Sequence, residues 1–252
     1  INATEFFPTS FRFLAEHKGL RPGRLHLLVG SSGRGKSSLL RSLIASTART
    51  CRVVVLLSEE SEIDFWMSFT YLKLSDEAKK NIIVISELSP EFPRFEKTEV
   101  EKYRKYIQMT LMRLNPHCVF FDNLSTSSIY QKLRVEEQAD HCLWLKMICL
   151  DRYALMVCCH TKKGVQDNQK LVELDDIRGC SQIVNLAEYG YTYQRITAQE
   201  KSFPVIRTIK ARYHQSGSGH LLEYCPNSRA FIGDKYLTFA ELKTIYNSRD
   251  KV

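Results

Sequence analysis

The sequence lacks the marks of several large protein classes. None of its eight cysteines is spaced as CxxC, so the paired-ligand spacing of a structural zinc site is missing. Most of them lie in apolar runs such as Ala154 to Cys159. A thiol there acts as a small hydrophobe, which points to a reducing, cytoplasmic compartment and not to a disulfide framework. No stretch reaches the roughly 18 uninterrupted apolar residues of a membrane-spanning helix, and no charged segment followed by an apolar one opens the chain as a secretory leader would. A membrane is therefore not an expected partner. The middle of the chain has no Pro/Gly/Ser-rich or strongly charged linker, and there is no internal repeat or low-complexity tract. One main domain over 1–232 with a short helical tail over 233–252 is expected. The first residue is Ile and not Met, which suggests a piece of something longer.

What is present is enough for a packed core. With 252 residues, 44% hydrophobic and 25% charged, the chain is long and apolar enough to fold as a globular unit. Its 36 Lys and Arg against 28 Asp and Glu give a formal charge of +8, which suits an anionic partner such as nucleic acid and equally suits a solvated basic surface.

Short apolar runs alternate with longer segments of helical period, and this pattern predicts an α/β fold with a mainly parallel sheet flanked by helices. The expected core strands are Leu25 to Val29, Val53 to Leu57, Ile82 to Ile85, Cys118 to Phe121 and Leu155 to Cys159. Each is nearly continuous in apolar residues, as a sheet covered on both faces requires. Helices are expected over Lys36 to Ser46, Glu62 to Leu72, Lys97 to Leu114 and Val135 to Leu150. Later runs, Tyr189 to Ile196, Val205 to Lys210, Leu221 to Tyr224 and Ala230 to Ile232, read as antiparallel strands added at the C-terminal edge. Thr238 to Ser248 reads as a capped amphipathic helix.

The strongest motif is Gly30-Ser31-Ser32-Gly33-Arg34-Gly35-Lys36-Ser37, followed by Ser38. It matches GxxxxGK[ST], directly after an apolar strand and directly before a helix, which is the context of a phosphate-binding P-loop. Glycines let the backbone amides turn towards the phosphates of ATP, the helix N-terminus attracts negative charge, and Lys36 neutralises the β/γ oxygens. Ser37 supplies a hydroxyl to Mg²⁺. The run Cys118 to Asp122 is an apolar strand ending in a carboxylate, so Asp122 is the expected second contact to the magnesium shell. The strand ending at Leu57 delivers Glu59 and Glu60 to the same sheet edge, and on chemistry alone either can orient the attacking water. His160 ends the Leu155 to Cys159 run, where a polar group can sense the γ-phosphate or serve as an ordinary structural histidine.

Together these pieces resemble the motor domain of DnaB-type and RepA-like ring helicases, within the RecA-fold ATPases. The resemblance begins at Phe7-Pro8-Thr9-Ser10-Phe11, continues through Gly19-Leu20-Arg21-Pro22-Gly23-Arg24-Leu25, and spans about residues 7 to 225. It implies that Glu60, in Leu57-Ser58-Glu59-Glu60-Ser61, is the catalytic glutamate ahead of Glu59. It places Asp122 at the Walker B position and His160 at the γ-phosphate reporter. It also makes Lys210 and Arg212, in Ile209-Lys210-Ala211-Arg212, a pair of fingers reaching a neighbour's ATP, and hence implies a ring, expected to be a hexamer. Loops after Asp122 and after His160 are the expected grip on single-stranded DNA, through Lys162, Lys163, Lys170 and Arg178. The resemblance thus implies an ATP-driven DNA helicase acting in replication. Two other readings stand beside it, an ATP-dependent switch or assembly scaffold of the KaiC kind and a filament-forming recombination ATPase.

Overall fold

The computed structural model describes residues 7, 9–150, 152–162, 170–179, 181–213 and 216–249. A nine-stranded sheet, in the order β3-β2-β4-β5-β1-β6-β7-β8-β9, runs through the molecule. Its strands are β1 Leu25–Gly30, β2 Val53–Leu57, β3 Ile82–Ser86, β4 Cys118–Asp122, β5 Ala154–His160, β6 Tyr189–Ala198, β7 Lys201–Ala211, β8 Gly219–Cys225 and β9 Ala230–Leu237. The first six are mutually parallel, and β7, β8 and β9 are added antiparallel at one edge. This is the α/β architecture that the apolar runs predicted.

Strand alternation assigns each face of the sheet to its own core. Val53, Val55 and Leu57 of β2 pack with Leu39, Leu43 and Ile44 of α2 (Lys36–Thr47) and with Phe65 of α3 (Glu62–Phe69). Val54 and Leu56 face the other way, towards Tyr103, Ile107 and Leu111 of α5 (Val100–Leu114) and towards Cys142 and Leu145 of α6 (Val135–Cys149). The spacing of four between Tyr103, Ile107 and Leu111 is the stripe that buries one side of α5, at about 1.5–3 kcal/mol for each large apolar side chain.

Three departures from the sequence reading have physical causes. The expected helix over Glu62 to Leu72 stops at Phe69 and finishes as a 3-10 turn over Thr70–Leu72. The short helices α1 (Arg12–Ala15), α4 (Asp76–Lys80) and α7 (Gln182–Leu186) were not expected, because none is long enough to show a period. Finally, β9 runs to Leu237, so the boundary drawn after residue 232 falls inside a strand. The tail helix α8 (Phe239–Asn247) has the Thr238 cap expected of it, and its Leu242 packs with Ile196, Val205 and Leu237. The tail is thus packed onto the sheet.

Candidate nucleotide-binding site

β1 is the central strand of the site. It lies between β5 and β6, so the loop leaving its carboxyl end is flanked by β5 on one side and β6 on the other. This is the crevice position at which α/β sheets hold ligands. The loop from Ser31 to Gly35 carries the chain into α2, and Gly35 holds the left-handed φ of +100° at the helix N-cap. No side chain caps that end of α2, so its first amides are left for another acceptor. Glycine is needed for space too. A Cβ on Gly30 would stand 2.8 Å from the Tyr193 carbonyl oxygen, and one on Gly35 would stand 3.0 Å from the Tyr193 hydroxyl and 3.3 Å from an Arg195 nitrogen. Tyr193 also donates its hydroxyl to the Arg34 carbonyl at 2.8 Å, which fastens the loop to β6.

Ser32, Gly33 and Arg34 are exposed along the loop, Ser37 and Ser38 are half-buried in the first turn of α2, and Ser31 accepts a long bond from Thr161 at 3.4 Å. Lys36 is buried, with Nζ 3.7 Å from Asp122 Oδ1. Burial works against its charge, but Asp122, and to a smaller degree Cys158 and Glu59, outweigh it, so the lysine pKa is raised. Asp122 ends β4 and is itself buried, and its Oδ1 has no hydrogen-bond partner. A buried carboxylate oxygen without a donor, facing a lysine and close to the Ser37 turn, fits a hydrated divalent cation. Ser37 and Asp122 are the residues that would hold Mg²⁺, whose role when bound is to neutralise charge on the phosphate oxygens.

The two adjacent glutamates have different surroundings. In register Leu57 pairs with Asp122, so Ser58, Glu59 and Glu60 emerge beside the carboxyl end of β4. Ser58 pins this crossing by donating to the Asn123 carbonyl at 2.7 Å. Glu59 Oε1 accepts from His160 Nε2 at 2.9 Å, and His160 Nε2 lies 2.8 Å from Asn123 Nδ2. The His160 bond, with smaller help from His160 charge, Asn123 and Lys36, holds the Glu59 carboxyl down to about 2 against the opposing effect of burial. Glu60 instead accepts from Arg41 of α2 at 2.5 Å. Burial raises its pKa, Arg41 opposes that, and Asp122 adds to it. The structure therefore groups Glu59, and not Glu60, with Lys36 and His160. Reading along the chain missed Asn123, Arg41, Tyr193 and Arg195, because each enters only through the order of the strands.

Lys210 and Arg212 lie at the opposite edge of the sheet. Lys210 pairs with Gly190, near the start of β6, whereas Gly30 pairs with Tyr193. Lys210 donates to the carbonyls of Val184 at 2.5 Å and Asn185 at 3.1 Å, and Arg212 donates to Asn185 at 3.1 Å and lies 3.9 Å from Glu188. Neither reaches the P-loop of its own chain. Among the expected DNA contacts, Lys162 gives its ammonium to the Asp175 carbonyl at 2.9 Å and Lys170 pairs with Asp176. Arg178 is exposed, and Lys163 lies outside the described residues. No helix of the described residues is long and apolar enough to cross a membrane.

No protein-family profile matches the chain, and no curated protein matches it. Among solved structures it is similar to a KaiC-like protein of the hyperthermophilic archaeon Pyrococcus horikoshii, at a TM-score of 0.69 and 16% identity over 93% of this chain and 99% of that one. At that identity the likeness speaks for the fold alone. Strand order, P-loop placement and this likeness together give the chain a RecA-like P-loop fold.

Proposed function

We propose that the chain is a magnesium-dependent, ATP-hydrolysing ATPase that acts as a nucleotide-controlled switch or assembly element of the KaiC kind. The observation that carries this reading is the uncapped N-terminus of α2 beside buried Lys36, which faces an Asp122 oxygen without a hydrogen-bond donor. Loop amides and Lys36 would hold the β- and γ-phosphates, and Ser37 and Asp122 the metal. Glu59 is the side chain we assign to orienting the attacking water, since it remains ionised and shares its surroundings with Lys36. This changes the preference for Glu60 that the helicase resemblance implied. His160, bonded to Glu59, would register whether the γ-phosphate is present. Lys210 and Arg212 would act on a neighbouring copy, in a ring or a filament.

A second reading, an ATP-driven motor on single-stranded DNA, is favoured by one contact. The His160 carbonyl accepts from the Arg178 amide at 2.7 Å, and Thr161 bridges to Ile177, so Arg178 is fastened directly to His160, the side chain we assign to sensing the γ-phosphate, and Lys162 follows two residues after it. Against it, Lys162 and Lys170 already have partners within the chain. Turnover of ATP by the purified chain, with and without a single-stranded oligonucleotide at low salt, separates the two. Turnover that ignores DNA supports the switch, and DNA stimulation moves the assignment to the motor. No turnover by the wild-type chain, or turnover unaffected by Lys36→Ala, removes both.

A further inference from the structure

A cavity of about 250 Å³ opens on the flank of α2, lined by Ser38 and Arg41 of that helix, Tyr71 of the turn after α3, and Tyr224, Arg229 and Ala230 from the junction of β8 and β9. Ser38 and Arg41 lie one turn apart in the first half of α2, and Arg41 bonds Glu60, so the cavity lies on the helix that carries the proposed phosphate site at its N-terminus. Whole-ligand clefts start at about 300 Å³, so this volume suits one part of a ligand. Two aromatic rings are left half open beside it, Tyr71 at 40% exposure and Tyr224 at 45%. Arg229, held at a left-handed φ of 48° in the turn, lays its guanidinium over the Tyr71 ring, 4.2 Å from the centroid. Planar, half-exposed groups next to a triphosphate site form a stacking platform for a planar ring system.

The lining also limits what can be read there. It contains no carboxylate, Arg41 is already engaged by Glu60, and hydroxyls such as those of Ser38 and Tyr224 can either donate or accept. A base edge that offers an amino group and one that offers a carbonyl meet equivalent partners.

We infer that this cavity is the nucleobase slot of the site, in which Tyr71 and Arg229 hold a purine by stacking without distinguishing adenine from guanine. The inference rests on the reading of the P-loop as a nucleoside triphosphate site. Its substrate class is therefore purine nucleoside triphosphates in general, with ATP the more abundant member.

Calorimetric titration of the full chain with Mg²⁺ and ATP, GTP or inorganic tripolyphosphate tests it. Wild-type affinities for ATP and GTP should agree within about fivefold. Tyr71→Ala and Arg229→Ala should each weaken both nucleotides by about tenfold, as loss of one base-stacking contact does, and leave tripolyphosphate within twofold. Tyr71→Phe should retain wild-type affinity. Arg229 is on an exposed turn, so its variant carries the test if Tyr71→Ala fails to fold. Unchanged nucleotide affinity in the variants, a parallel loss for tripolyphosphate, or a hundredfold preference for one purine overturns the inference. Lys36→Ala should abolish binding of all three. If it leaves them unchanged, the underlying phosphate-site reading fails, and not only the base slot.

Discussion

The two ends of the parallel strands hold basic residues in opposite circumstances. At the carboxyl edge, Lys36 is buried against an Asp122 oxygen without a hydrogen-bond donor, below an uncapped helix end. At the amino edge, Lys210 and Arg212 are satisfied by the carbonyls that end α7 and by the nearby Glu188. A buried carboxylate oxygen without a donor is costly unless something binds it, whereas half-buried Lys210, its pKa lowered by burial and by Arg212, and exposed Arg212 both rest on carbonyls near a helix C-terminus, where a cation is favoured. On the proposed reading, the difference teaches that a single chain holds the groups of a phosphate site together, while Lys210 and Arg212 would gain a phosphate only against another copy.

Breaking the carboxyl edge should have the largest effect. Lys36→Ala should remove ATP binding as well as turnover, a loss of at least about 10³-fold, since it deletes the charge that the loop is built around. Next in size is Arg212→Ala, which should lower turnover by about 10³-fold if it acts in trans, yet leave ATP affinity unchanged. Equal turnover of Arg212→Ala and wild type at concentrations where the chain is assembled would reduce the amino edge to a structural surface. Mixing Lys36→Ala with Arg212→Ala chains sharpens the comparison, because assemblies that pair one intact site with one intact finger should recover part of the activity.

The two glutamates give the third comparison. Glu59→Gln should cost about 10²-fold in turnover, the worth of a group that holds a reactant in line, and Glu60→Gln less than about tenfold. The reverse order would restore the assignment implied by the helicase resemblance. The last effect concerns stability against pH and not turnover. Burial holds His26 and His141 neutral, with pKa values lowered to about 3. Unfolded, each titrates near its ordinary value of about 6.5. The unfolded chain therefore binds more protons below that value, and stability, complete above pH 6.5, falls as pH drops towards 3. Urea melts should show this loss, and His26→Gln should reduce its slope. Glu59 stays ionised down to about 2, so activity lost between pH 6 and 4 should track unfolding and not titration of this carboxylate.

What was legible in the sequence is what the chain writes contiguously. The P-loop needs only a strand, a turn and a helix in succession, and residues 25 to 47 supply all three. Asp122 and His160 were legible for the same reason, each being the last residue of an apolar strand. Neighbours brought in by sheet order were not. Nothing local says that β6 lies beside β1, so the clamp of Tyr193 on Arg34 was invisible, as was Arg195 beside Gly35. Glu59 and Glu60 fall one position apart in the bend that follows β2, where no strand or helix period says which way each side chain leaves. Motif alignment gives the segment, and only packing against α2 and β5 separates a residue facing Arg41 from one facing His160. Lys210 and Arg212 stand out in the sequence only as a basic pair, and the finger role that the helicase resemblance implied for them is one that contacts within a single chain do not display.

The central claim is that the carboxyl edge of this sheet is a working triphosphate site. Steady-state ATP turnover by the purified chain in Mg²⁺, compared with Lys36→Ala and Glu59→Gln, tests it most directly. The account predicts measurable turnover in the wild type, neither binding nor turnover in Lys36→Ala, and retained binding with turnover lost in Glu59→Gln. Wild-type levels of binding and turnover in Lys36→Ala would contradict it.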